Sequence, residues 1–318
     1  MNAPYKQELK EYLDKLFGEN KVEGLERIPE AITTVAYKVS LADGQEVIAK
    51  VAIDEKDIEE GKRQKEMKAI ETAKYVLSSI VEVPNVISFE ETIEGFPGYI
   101  VVMRKSQGVT MSPDWLNKTG TSAENLQTIV RALSALHSVT SENVSDLATF
   151  EAEKGSLYVD KYLQKAHTKL KDFDIFKQIE PTLNYLGENI SIFDKPKYPF
   201  IHRDVKHNNL LVGGDKISAI IDWETALFVP LSMEFAHVRV LAPIYGYEKW
   251  MEAVIEAYNS ENPAALDMEE LELAEVFVAA RFFMRSYEHS LSKGLETKIA
   301  SGEKTENEHY MEYLTKWS

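Results

Sequence analysis

Between Phe200 and Glu224 the chain reads FIHRDVKHNNLLVGGDKISAIIDWE. No other stretch limits the possible folds as strongly. Two short apolar runs are separated by Gly213, Gly214 and Asp215, residues that reverse a chain without steric cost, so a β-hairpin is predicted. Side chains alternate along a strand, which puts Asn209 and Leu211 on one face, and Ile220 and Asp222 on one face of the returning strand. The hairpin thereby aims an amide and a carboxylate at one place, just after an acid, Asp204, set among His202, Arg203 and Lys206.

That combination has a chemistry. The spacing fits H-x-D-x-x-x-x-N with a distal aspartate. Phosphoryl transfer needs a carboxylate near the attacking hydroxyl, hard oxygen ligands for Mg2+, and cations on the phosphates. Asp204 is read as the catalytic aspartate that orients the hydroxyl, and Lys206 as a cation that reaches the transferred phosphate. Asn209 and Asp222 are read as the Mg2+ ligands. His202, His207 and His237 fit no zinc spacing, and His202 is expected to anchor the loop by hydrogen bonding.

Upstream, Leu9, Leu13, Leu16 and Phe17 recur at helical spacing and Gly18 closes that helix. Residues 33–41 and 45–53 read as strands joined at Asp43 and Gly44, residues 57–77 as a helix, and residues 86–89 and 99–103 as further strands. From about Thr121 the chain is mostly helical. Strands early and helices late predict an α+β chain of two lobes, residues 1–103 and 104–318, connected near residues 104–108. On the second strand Ile48, Lys50 and Ala52 share a face. Lys50 is read as the cation on the α- and β-phosphates, with Ile48 roofing the base; the alternative is a lysine snorkelling from a half-exposed strand. Glu66 shares a helical face with Ile70, Ala73 and Leu77 and is chosen to orient Lys50. Glu60 is the alternative, and Glu71 lies off that face.

Composition removes other classes. There is no cysteine, hence no disulfide, thiolate metal site or cysteine nucleophile. A formal net charge of −16 argues against nucleic acid and anionic membranes as partners. No apolar run approaches a membrane span, and the start MNAPYKQELKEYL lacks the basic and apolar regions of a signal peptide, so a soluble, cytoplasmic chain is expected. Glu269, Glu272 and Glu275 recur at close helical spacing in an acidic C-terminal stretch, which points to a cationic acceptor.

These residues together resemble the aminoglycoside phosphotransferase family, the small-molecule branch of the protein-kinase-like fold that includes choline, homoserine and macrolide kinases. The resemblance rests on Lys50, on Glu66 ahead of Val83 and Pro84, and on the connection from Met103 to Gly108. It continues through L-x-x-L-H at Leu133 to His137, the loop around Asp204, D-W-E at Asp222 to Glu224, and Pro230 followed by Glu234. It implies an ATP or GTP site between a β-rich and a helical lobe. Met103 then lies beside the base, Arg104 and Ser106 offer backbone hydrogen bonds, and Leu211 and Ile221 belong to the nucleotide-binding set.

The acceptor implied is a small hydroxylated molecule, aminoglycoside-like or otherwise cationic. The alternatives are a macrolide or a choline- or homoserine-type alcohol, and a catalytically silent binding protein. A macrolide would turn attention to Tyr245, Tyr247, Trp250, Phe282 and Tyr287. Eleven residues separate Asp222 from Glu234, too few for a protein-kinase activation segment, which favours a small acceptor. The chain departs from the family pattern at several places. Arg203 stands where glycine is usual, Lys206 where histidine is usual, and Glu234 where aspartate is common. No glycine lies between Ile28 and Tyr37, so the hydroxyls of Thr33 and Thr34 are expected to serve the phosphates.

Overall fold

The computed structural model describes residues 6–28, 35–51, 62–91, 98–141, 154–263, 265–293, 300–302 and 304–316, the side chains of 62–63 and 288–293 excepted. The chain divides into two compact units, residues 1–78 with 82–107, and residues 79–81 with 108–318.

The smaller unit contains helix α1 (Lys6–Phe17), strands β1 (Val22–Ile28), β2 (Val35–Leu41) and β3 (Glu46–Val51), helix α2 (Lys62–Leu77), and strands β4 (Asn85–Glu90) and β5 (Ile100–Arg104). The strands form one antiparallel sheet in the order β1-β2-β3-β5-β4, so β3 is its central strand. Its Asp43–Gly44 turn is closed by the Gln45 N–H donating to Asp43 Oδ1 at 2.9 Å, with Gly44 at φ +82°. Burial alternates along β3: Val47, Ala49 and Val51 are buried and Ile48 and Lys50 half-buried. The first set packs with Leu9 and Leu13 of α1, which covers one face. On the other face Tyr99, Val101 and Met103 pack with Ile48 and with Met67 of α2.

Strand β1 was not expected from the sequence. Val22 alone in it is buried, and VEGLERI has no apolar alternation to read. Both outer strands are irregular, with register shifts between Val22 and Gly24 in β1 and between Val86 and Ser88 in β4. Leu16 is also less covered than the helical spacing predicts, at 36% exposure.

The larger unit opens with strand β6 (Val109–Thr110), a helical turn Pro113–Trp115 that runs into a π-helical segment Leu116–Gly120, and helices α3 (Ala123–His137), α4 (Gly155–Leu170) and α5 (Phe176–Glu188). Strands β7 (Phe200–Ile201), β8 (Leu210–Gly213), β9 (Lys216–Ile220) and β10 (Leu227–Phe228) follow, then helices α6 (Ser232–Tyr245), α7 (Glu248–Glu261), α8 (Met268–Lys293) and α9 (Glu306–Leu314). Helix α8 packs on α6, α9 and α4. The expected hairpin is β8–β9, extended by β6, and β7 pairs with β10.

Two contacts set the hairpin in place. Asn125 of α3 donates from Nδ2 to the Asp215 carbonyl at 2.9 Å and accepts the Ile217 N–H at 3.0 Å, so the turn is tied to a helix. Gly108 sits at φ +114° with no room for a side chain, since a Cβ there would lie 2.6 Å from the Val212 carbonyl oxygen. Among the described residues no helix is long and apolar enough to cross a membrane.

Candidate active site

The loop between β7 and β8 is held from below by one acid. Glu234, in the first turn of α6 and 1% exposed, accepts the His202 N–H at 2.7 Å and the Arg203 N–H at 2.9 and 3.1 Å. Burial alone would raise this carboxyl; the neighbouring His137 and His202 and the Arg203 N–H outweigh it and hold the group below its ordinary value. The side chain is one methylene longer than aspartate and still reaches both amides.

The bracing has a reason. Arg203 adopts φ +65°, a left-handed backbone that glycine takes freely and a branched-out side chain takes at a cost of about 1–2 kcal/mol. The Arg203 guanidinium also donates to the Tyr158 hydroxyl on α4. His202 accepts the Asp204 N–H at Nδ1 (3.2 Å), donates from Nε2 to the Ile221 carbonyl (3.0 Å), and stacks edge-on against Trp223. It ties the loop to the end of the hairpin.

Asp204, 8% exposed, lies at the centre. His237 of α6 meets Oδ1 at 3.2 Å, while Lys206 Nζ at 2.9 Å and Asn209 Nδ2 at 2.8 Å both meet Oδ2. Burial would raise this carboxyl, but the His237 N–H and then the Lys206 ammonium hold it well below the usual carboxylate range. Burial pushes the His237 imidazole down, more than Asp204 pulls it up, so a neutral ring donates from Nε2. Lys206 is pushed down by burial, and Asp204 more than restores it. A hydroxyl brought here would meet an ionised, fixed oxygen with an ammonium beside it.

Asn209 and Asp222 lie just outside the strands that were expected to carry them. The ladder continues one step, with the Ile221 N–H donating to the Asn209 carbonyl at 2.9 Å. At Asp222 the alternation stops, because that residue takes φ +67°, ψ +66° and starts the 3-10 turn Trp223–Thr225. Asp222 is close enough to raise Lys206 electrostatically. Asn209 spends its Nδ2 on the carbonyl and the carboxylate of Asp204, at 2.8 Å each, which leaves its Oδ1 as the atom for a cation. Leu211 and Ile221 flank this amide in the hairpin, buried and half-buried.

In the smaller unit Lys50 and Glu66 are brought together, Nζ to Oε1 at 3.0 Å, with the Glu66 side chain 1% exposed and Lys50 15%. Glu71 is exposed and Glu60 lies outside the described residues. Ile48 and Met103 are opposite one another in β3 and β5. Arg104 is exposed, and Ser106 is buried with its Oγ unpartnered. Thr33, Thr34 and Ala52 lie outside the described residues.

Two expectations about the acceptor side change. Among the described residues the acidic stretch is not a continuous anionic face: Glu275 pairs with Arg239 at 2.7 Å and Glu272 with Lys316, while Glu269 is exposed; Glu270 between them pairs with Lys195 at 2.7 Å. Tyr247 and Trp250 do not line an acceptor pocket, being 0% and 1% exposed; Tyr247 packs beside His207 and Trp250 against Tyr247. Sequence reasoning missed His237 as the partner of Asp204. The available clue was its place one turn beyond Glu234 on the same helix face. Among the described residues no cluster of three or more His, Asp or Glu could hold a metal by itself.

The buried histidines give the unit a pH dependence. Burial is the largest cause holding His207, His237 and His309 below their ordinary value. The unfolded chain therefore binds more protons as pH falls through about 6.5, and stability present at neutral pH is lost there. Burial raises Glu275 and Glu306, which act in the opposite sense but only close above the carboxylate range. All four tryptophans, Trp115, Trp223, Trp250 and Trp317, lie in residues 108–318, so fluorescence follows this unit. Its urea midpoint is expected to fall between about pH 7.5 and 6; a flat or rising midpoint contradicts the assignment of neutral, buried imidazoles.

Comparison with known proteins points the same way. The model of the phosphotransferase enzyme family matches residues 24–270. Aminoglycoside phosphotransferase APH(4)-Ia superposes with a TM-score of 0.68 at 15% identity, over 97% of this chain and 96% of the other. APH(2")-IIia in complex with GDP and kanamycin gives 0.67 at 12% identity, over 98% of both chains. ADP-bound APH(2'')-Ib gives 0.65 at 15% identity, over 98% of this chain and 99% of the other. At these identities the likeness is one of fold, protein-kinase-like. No curated protein matches the chain.

Proposed function

The chain belongs to the phosphotransferase enzyme family, and from that premise we propose a cytoplasmic, Mg2+-dependent kinase that uses ATP or GTP to phosphorylate a hydroxyl of a small molecule. The observation that carries this reading is the ionised Asp204 fixed between His237, Lys206 and Asn209. In the reaction the acceptor oxygen attacks the γ-phosphorus, the bond from that phosphorus to the β-γ bridging oxygen breaks, and the nucleoside diphosphate leaves. The hydroxyl proton passes to Asp204. Because that carboxyl is held well below its ordinary value, it orients the O–H and receives the proton late, as charge develops on phosphorus.

Lys206 then moves its charge from Asp204 to the transferred phosphate. Residues 1–103 supply the nucleotide side: Lys50, fixed by Glu66, serves the α- and β-phosphates. Ile48 and Met103 give apolar surface to the base, and the backbone of Arg104 and Ser106 its hydrogen bonds. Apart from those two backbone contacts, residues 104–318 supply the catalytic side.

The donor set fits Mg2+. Asn209 offers a neutral carbonyl oxygen whose amide is already committed, and Asp222 a carboxylate, both hard ligands of the kind this ion takes. Bound there, Mg2+ neutralises phosphate charge. With Lys50, Asp204, Asn209 and Asp222 all present, a silent binding protein is disfavoured. Asp222→Ala tests the assignment. Calorimetry is expected to show Mg-nucleotide affinity reduced about tenfold or more, since a charged ligand is lost. Unchanged affinity, with nucleotide turnover unaffected by any hydroxylated compound, would overturn the reading.

A further inference from the structure

A second feature of the larger unit lies one side chain from Asp204. Where α8 packs on α4, a cavity of about 240 Å³ is lined by Lys165 and Lys169 of α4, by Arg281 and Arg285 of α8, and by the rings of Tyr162 and Phe282. Among the described residues no acid lines it, in a chain with 52 Asp and Glu against 36 Lys and Arg. On each helix the bases stand four residues apart, where like charges face one another and repel. On α8 itself, Glu270 is paired with Lys195 and Glu275 with Arg239. Among the described residues Lys165, Arg281 and Arg285 make no ion pair. Arg281 is half-buried, its guanidinium carbon 4.9 Å from the Tyr162 ring centre and 5.8 Å from that of Phe277.

One wall of the cavity is in contact with the partner of the reacting carboxylate. Phe282 meets His237 edge-on at 5.1 Å between ring centres, and His237 donates to Asp204. Tyr245 senses the charges of both Lys206 and Arg285.

We propose that this cavity binds an anionic group of the acceptor, so that the molecule phosphorylated is a compact hydroxylated oxyanion whose phosphate or carboxylate is gripped by Arg281 and Arg285. Guanidinium forks match both anions bidentately, and a stacked guanidinium is already oriented for them. An amine would instead meet four cations. The volume lies below the roughly 300–1,000 Å³ of pockets for drug-sized ligands, and a single phosphate or carboxylate fits in it.

The proposal rests on the phosphotransfer reading, and the test separates the two. Nucleotide consumption is measured with glycerol 3-phosphate, glucose 6-phosphate and glycerate, and with glycerol, glucose, choline and kanamycin. Each compound is also titrated calorimetrically without nucleotide, against wild type and Arg281→Gln/Arg285→Gln. The anionic compounds are expected to be turned over, the variant raising their KM about tenfold or more with a smaller change in kcat and unchanged Mg-nucleotide affinity. The phosphate and carboxylate arms show which oxyanion is read. Turnover of a neutral or cationic compound, with variant kinetics equal to wild type, overturns the proposal and leaves the kinase reading intact. Anion binding that the double variant abolishes, with no compound turned over, upholds the anion site and sinks the kinase reading.

Discussion

Asp204→Asn is expected to lower kcat by about 10²-fold or more while changing Mg-nucleotide affinity far less. The substitution keeps the shape of the side chain and removes its charge. The ionised group has three partners, His237 on one oxygen and Lys206 and Asn209 on the other, and all three donate. An amide accepts from one side only, so whichever way it lies a donor faces a donor, and the acceptor hydroxyl loses the carboxylate that orients it. Steady-state rates paired with nucleotide titration make the measurement. A kcat near wild type would remove Asp204 from the centre of the chemistry.

The second large effect is one of stability. Glu234→Ala leaves the His202 and Arg203 amides without the acceptor they share. A buried donor stripped of its partner costs about 1–3 kcal/mol, so a loss of about 2–5 kcal/mol is expected, with Arg203 no longer held in its left-handed conformation. Glu234→Gln keeps the shape and one acceptor oxygen and is expected to fall between. Denaturation midpoints followed by tryptophan fluorescence settle it: a midpoint for Glu234→Ala equal to wild type contradicts the bracing role. The same variant is expected to lose turnover, because the loop it frees carries Asp204.

What the sequence made legible was local. The hairpin was readable because its apolar runs, its glycine turn and its polar flanks sit within one stretch, and the pairing of Lys50 with Glu66 followed from two short-range periodicities, of strand and helix. The likeness of the chain to the phosphotransferase family was legible for the same reason, since its motifs are contiguous. Strand β1 was not legible: it is a strand because β2 offers it a partner, and its apolar residues, Val22, Leu25 and Ile28, fall three apart rather than alternating. Asp222 was assigned to the returning strand because alternation has no means of foreseeing a left-handed residue. The acceptor side was the least legible. Glu272 and Glu275 read as free acids until folding brought Lys316 and Arg239 to them, and Arg281 lies 77 positions beyond Asp204, a proximity that only packing creates.

The irregular outer strands of the five-stranded sheet carry one more consequence. A straight border strand exposes a row of unpaired amides and carbonyls on which a second chain can crystallise strand by strand into a fibre. Here β1 and β4, the two borders, each lose register once, near Gly24 and near Ile87, and β1 carries Glu23, Glu26 and Arg27 besides. A bulge coils the border away from the flat template that strand addition requires, and the charges disfavour a close neighbour. The sheet whose central strand presents Lys50 is thus closed at both margins to growth by its own kind, and that protection is built from backbone irregularity rather than from added structure.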